Sequence, residues 1–206
     1  MIHLSTSLKY YKREDVQKAV VENGKDKEIA ARFNDRFGKR PDTLTYPNDV
    51  LELAKQGATS FHCSEELWTN PMLLVPQMEK KELDKLRKGW DLLLDVDCAI
   101  VDYSKIAADL IVKELKLNGI KSVTAKFSGN KGFHIAVPYE AFPQNVLGKE
   151  TRELFPEAPK KIALYIRERI KKGLGRKILE KEGSFKAVAE KTGKILEEIT
   201  IVADND

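Results

Sequence analysis

The feature that most constrains the fold of this chain is residues 120–138, IKSVTAKFSGNKGFHIAVP. Val123, Ala125 and Phe127 alternate with Thr124, Lys126 and Ser128, and beyond the glycines Phe133, Ile135 and Val137 alternate with His134 and Ala136. A period of two assigns each set to one face of a strand, so the segment predicts two amphipathic strands joined by a turn, the second ending at Pro138. An odd number of residues between paired positions sets Ser128 and His134 on one face, whereas an even number sends them to opposite faces. The odd register is expected. Gly129 and Gly132 can take positive φ and let backbone amides approach an anion, Lys131 adds a mobile positive charge, Ser128 a hydroxyl and His134 an imidazole donor. The same glycines serve equally in a plain hairpin turn with His134 as an ordinary half-buried residue.

Upstream, WDLLLDVDC is a short apolar run flanked by charge and reads as a buried strand. Asp95 and Asp97 stand two apart on it, so their side chains leave the same face about 7 Å apart at the backbone. Two uncompensated anions at the end of a buried strand are costly unless a metal or cationic partners neutralise them. Their oxygens suit Mg²⁺ or Mn²⁺ completed by water and substrate phosphates. The competing reading is a pair of solvated turn aspartates. Between this strand and the hairpin, DYSKIAADLIVKELKLNG places Ile106, Leu110, Ile111 and Leu115 at helical spacing. Asp102 or Ser104 is its expected N-cap, and Asn118-Gly119 its stop.

The chain of 206 residues is 42% hydrophobic and 33% charged, the composition of a globular protein. No segment approaches the ~20 apolar residues that span a bilayer. The opening MIHLSTSLKYYKREDV lacks a signal peptide's apolar run, so a cytoplasmic protein without a membrane partner is expected. Cys63 and Cys98 form no CxxC pair, and no structural zinc is expected even with His62 beside Cys63. A net charge of +4 permits a nucleic-acid partner without requiring one.

Toward the N-terminus, KREDVQKAVVENG predicts a helix with Val16, Val20 and Val21 on one face and Gly24 as its stop. GKRPDTLTYPND follows as a loop or edge strand. From about residue 141 the chain turns helical and basic. Lys160, Lys161, Arg167, Arg169, Lys171, Lys172, Arg176 and Lys177 stand against the single acid Glu168. They fit either a phosphate-tracking surface or a solvated helix face around Ile162, Leu164, Ile166 and Ile170. EEITIVADND reads as a strand that stops at the last residue, as though the chain were cut inside a fold.

In the order strand with DxD, helix, strand, SGxKGxH turn, strand, residues 88–140 resemble the archaeo-eukaryotic primase superfamily, most closely the catalytic small subunit of archaeal DNA primase. The resemblance implies that Asp95 and Asp97 hold catalytic divalent metals, Mg²⁺ or Mn²⁺. It implies that Ser128, Gly129, Lys131 and His134 bind the phosphates of an incoming nucleoside triphosphate. The implied activity is primer synthesis or extension on a single-stranded DNA template, with a large primase subunit as a partner. The expected fold is α/β (α+β): one primase-like catalytic domain over 1–206, with an N-terminal α/β module (1–80), a core (81–206), and a mixed or antiparallel sheet flanked by helices. Glu28 and, twelve positions on, Arg40 sit where the family places an acid and an arginine near the site, but equally fit surface charges. Trp68 in SEELWTNP fits a family feature or a core aromatic. The chain departs from the family in two respects: two cysteines cannot build its zinc knuckle, and a third metal-binding aspartate has only Asp204 and Asp206 as late candidates. The alternatives are a non-catalytic nucleotide- or nucleic-acid-binding module and, further off, a metal-dependent nuclease.

Overall fold

A computed structural model describes residues 3–129 and 131–194, and the chain divides into two compact units, Met1–Trp90 and Asp91–Asp206. The division falls inside WDLLLDVDC, so Trp90 closes the first unit and the DxD strand opens the second. Both units mix helices with small antiparallel sheets, an α+β arrangement.

The first unit begins with α1 (Leu4–Tyr11) and α2 (Glu14–Asn23). As the valine spacing predicts, α2 stops at Gly24. A three-stranded sheet follows in the order β2-β1-β3, from β1 (Ile29–Phe33), β2 (Arg36–Phe37) and β3 (Ser60–Cys63). Between β2 and β3 lies α3 (Pro47–Lys55), whose first residues fall in the proline-bearing stretch expected to be loop or edge strand. Proline at the first position of a helix removes only a donor that is orphaned there anyway, and Asp49 closes a capping box by accepting from the backbone N–H of Tyr46. Tyr11, Val16, Ile29, Leu44, Val50 and Ala54 make the core of this unit. A second antiparallel pair joins β4 (Glu66–Trp68) to β5 (Arg87–Trp90), with α4 (Lys80–Leu86) leading into β5. Trp68 is buried, the core-aromatic alternative, and the Arg87 guanidinium lies over its ring. Arg87 is itself 2% exposed and donates to Glu66 and Asp84.

The second unit is built on β6 (Leu92–Val96), α5 (Val101–Leu117), β7 (Thr124–Phe127) and β8 (Phe133–Val137). The sheet order is β6-β8-β7 and both pairings are antiparallel. Strands β6 and β7 therefore run the same way, joined by the α5 crossover and held apart by β8, which is a split βαβ unit. Leu92, Leu94, Ile135 and Val137 are buried on one face, and α5 and α6 (Glu157–Glu182) pack against these strands. Burial of side chains of this size contributes about 1.5–3 kcal/mol each. A small β9 (Asn145–Val146) and β10 (Lys149–Glu150) pair precedes α6, and α7 (Phe185–Thr192) closes the described part.

Helix α5 starts earlier than its expected caps allow. Its N-cap is Ile100, without a side-chain bond; Asp102 lies in the first turn and pairs with Lys181, and Ser104 is buried. The Asn118-Gly119 stop is present, with Gly119 at φ 84°. In α6, Ile166 and Ile170 are buried as the stripe predicts, but Leu164 is exposed; Ile178, further along, is also buried. The Tyr103 hydroxyl, beside Ile178 and Val188 in the core under α5, is pushed up to about 12, chiefly by burial and then by the Glu182 carboxylate. Residues 195–206, including the expected last strand and Asp204 and Asp206, lie outside the described residues. No described helix is long and apolar enough to cross a membrane.

Candidate functional site

The register of the second unit's sheet assembles the site. Asp95 on β6 stands opposite His134 on β8, and His134 stands opposite Lys126 on β7. These three side chains therefore form a row across one face, with Leu93, Ala136 and Thr124 in the next row. The opposite face carries the buried Leu92, Leu94, Ile135 and Val137, so the Asp95 face is the solvent face. Asp95 Oδ1 and His134 Nε2 are 3.6 Å apart, beyond hydrogen-bond length. Lys126 belongs to the polar half of the alternation, but only the pairing shows that it faces His134, and the sequence motif left it out.

Backbone pairing continues past β7: the N–H of Ser128 donates to the Gly132 carbonyl at 2.9 Å. The number of residues between the paired Ser128 and Gly132 is thus odd, and alternation keeps Ser128 on the face of Lys126 and His134. The Ser128 hydroxyl accepts from the Gly132 N–H at 3.2 Å, bracing the turn from inside. The two glycines serve different ends. Gly129 has φ 94°, in the left-handed region, with open space where a Cβ would stand. Gly132 is not in that region; a Cβ there would come within 2.5 Å of the Val96 carbonyl oxygen. Its role is close approach, drawing the turn against the end of β6 between Asp95 and Asp97. Lys131 is exposed on the same turn.

Solvent reaches both aspartates. Asp95 is 57% exposed and Asp97, just past the end of β6, is also exposed. Their exposure lowers the cost of their charge, so burial gives no reason to require an ion. Among the described residues, Asp97, Lys126 and Lys131 enter no ion pair or side-chain hydrogen bond, which leaves both signs of charge open to a ligand. Two hard carboxylates suit Mg²⁺ or Mn²⁺ with water and phosphate filling the remaining positions. Among the described residues, no group of three or more His, Cys, Asp or Glu side chains converges as a metal cage.

Glu28 and Arg40 belong to the first unit and to each other. Glu28 is buried beside the start of β1, not on a helix, and accepts two bonds of 2.7 Å from the Arg40 guanidinium. The bidentate contact holds the Arg40 pKa above its usual range. Cys63 and Cys98 are free thiols, exposed and half-buried respectively. No protein-family model matches the sequence, and no curated protein matches it either.

Proposed function

We propose that this chain is a primase-type nucleotidyltransferase whose site is the solvent face of the β6-β8-β7 sheet. One observation carries the reading: a single register places Asp95, His134 and Lys126 in a row, with the braced Ser128–Gly132 turn against the strand end that leads to Asp97. Asp95 and Asp97 would hold a divalent ion, which when bound stabilises negative charge on the attacking and leaving oxygens. Lys131, Ser128 and the imidazole of His134 hold the triphosphate so that its α-phosphate lies in line with an incoming hydroxyl. Lys126, one strand further, adds positive charge where the released phosphates leave. In the reaction the 3′-hydroxyl, or the hydroxyl of a first nucleotide, gives its proton to solvent as its oxygen bonds to the α-phosphorus. The bond to the bridging oxygen breaks and pyrophosphate departs. The chain contributes positioning and charge, which dominate phosphoryl-type transfers.

The test is synthesis or extension of primers on a single-stranded DNA template with Mg²⁺ or Mn²⁺, comparing the chain with Asp95→Ala and supplying ribo- and deoxynucleotides separately. Asp95 is exposed, so the substitution leaves the fold intact while synthesis is lost. Equal synthesis by both proteins overturns the assignment.

A second reading rests on the same face. With Asp95 and Asp97 as its two candidate carboxylates, and no group of three or more metal-ligating side chains among the described residues, the chain can bind a metal–nucleotide complex without completing transfer. Nucleotide binding tightened by Mn²⁺, with no product on any template, selects it.

A further inference from the structure

A second surface, in the first unit, has the chemistry of a single-strand binding platform. Sheet β2-β1-β3 buries Ile29 on its inner side, in the core with Tyr11 and Val50, and packs the partly buried Phe61 against that core. Its register places Arg32, Phe37, Ser60 and His62 on the outer face: Arg32 pairs with both Phe37 and Ser60, and Ala30 with His62. Pairing runs one step further, from the Gly38 N–H to the Ala31 carbonyl, and the next residue, Lys39, is exposed in the bend that follows. Phe37 is 49% exposed, a large apolar ring on the edge strand of a polar sheet surface. The His62 ring meets it edge-on at 5.2 Å, and the Arg32 guanidinium lies 5.9 Å from its centroid. Lys39 enters no ion pair among the described residues. The only acid in residues 32–40 is Asp35, in the turn between β1 and β2.

We infer that this face binds single-stranded nucleic acid, stacking an unpaired base on Phe37 beside His62 while Arg32 and Lys39 meet flanking phosphates. An exposed aromatic on a sheet, flanked by cations, is the combination by which sheet platforms hold single strands, the ring taking the base and the cations the backbone. Charge complementarity selects a polyanion, and the ring selects one with free bases. The inference uses the first unit alone and stands independently of the nucleotidyl-transfer reading.

The experiment measures the anisotropy of a labelled oligothymidylate titrated with the whole chain, without nucleotide or divalent metal, over a range of salt. Phe37→Ala is expected to weaken binding roughly 5- to 100-fold, the range for loss of one stacked base, and Phe37→Tyr to restore it. Lys39→Gln is expected to make the slope of log affinity against log salt shallower by about 0.7, one single-strand phosphate contact. Unchanged affinity in Phe37→Ala with an unchanged salt slope in Lys39→Gln overturns the inference. So does equal binding of a duplex of the same length, which would mark a surface for phosphates only. If Phe37→Ala fails to fold, Phe37→Tyr against Phe37→Leu decides the same question: retention only by the aromatic supports stacking, and equal binding by both refutes it. Oligonucleotide binding lost in Asp95→Ala and kept in Phe37→Ala would move the strand to the second unit, ending this inference while leaving the proposed reaction in place.

Discussion

Gly132→Ala tests the geometry of the candidate site without touching a charged group. The new methyl carbon would stand 2.5 Å from the Val96 carbonyl oxygen and 3.3 Å from the Ser128 hydroxyl, where real Cβ atoms essentially never come closer than 3.0 Å. The first obstacle is backbone, so no rotamer change relieves it; the end of β6 or the start of β8 must move. Overpacking of this kind costs about 1–3 kcal/mol. The displaced atoms flank Asp95 and His134, whose spacing then changes, and misplacement on the order of 1 Å costs about 100-fold in a reaction that depends on alignment. Gly173→Ala in α6 is the matched control. Its Cβ would lie 3.8 and 3.9 Å from the Leu110 methyls, ordinary contact. There the gain in helix propensity should leave stability equal or raised by about 0.5–1 kcal/mol. Urea denaturation followed by circular dichroism measures both. Gly132→Ala within about 0.5 kcal/mol of the unaltered chain, below the cost of overpacking, would refute the claim that this glycine exists for close approach.

Other expectations follow from the ion pairs. Replacing Arg87, buried between Glu66 and Asp84, by Ala takes the cation from the partly buried Glu66, while Asp84 keeps its contact with Lys80; a loss of about 3–5 kcal/mol in chemical denaturation is expected, and a loss below about 1 kcal/mol, the level of a surface pair, contradicts it. Glu114 accepts from Arg169 at 2.8 Å, which holds its carboxyl below the ordinary value of 4.5. A depressed folded pKa means the contribution is complete above about 4.5 and is lost as pH falls through the folded value. Glu114→Gln should therefore flatten the acid limb of the stability–pH curve, and an unchanged limb would remove this pair from the account.

The hairpin was legible because alternation persists on both sides of its turn, and α2 and α5 because apolar residues recur at helical spacing up to a glycine stop. The three strands β6, β7 and β8, and the polar face shared by β7 and β8 across their turn, followed from those patterns. What the sequence hid was pairing between distant segments. Lys126 gains its place only when β7 is set beside β8, and Phe37, His62 and Arg32 converge only when β3 returns to β1 across a helix. Proline obscured α3, since Pro47 reads as a breaker although the first helical position tolerates it. Capping at Asp102 or Ser104 failed because tertiary contacts outweighed local preference: Asp102 is drawn to Lys181 and Ser104 is buried. Whether Asp95 is solvated also stayed open in the sequence, because the apolar run preceding it says that one face is covered but not which face the aspartate takes; it takes the solvent face.

The measurement that bears most directly on the central claim is calorimetric binding of a nucleoside triphosphate to the whole chain with and without Mn²⁺, repeated for Asp95→Ala and His134→Ala. Both readings of the site predict binding that strengthens with the metal, loses that dependence in Asp95→Ala, and weakens in His134→Ala in the presence of Mn²⁺. Binding that ignores the metal, or survives both substitutions unchanged, would contradict the assignment of this sheet face to a metal-bound triphosphate.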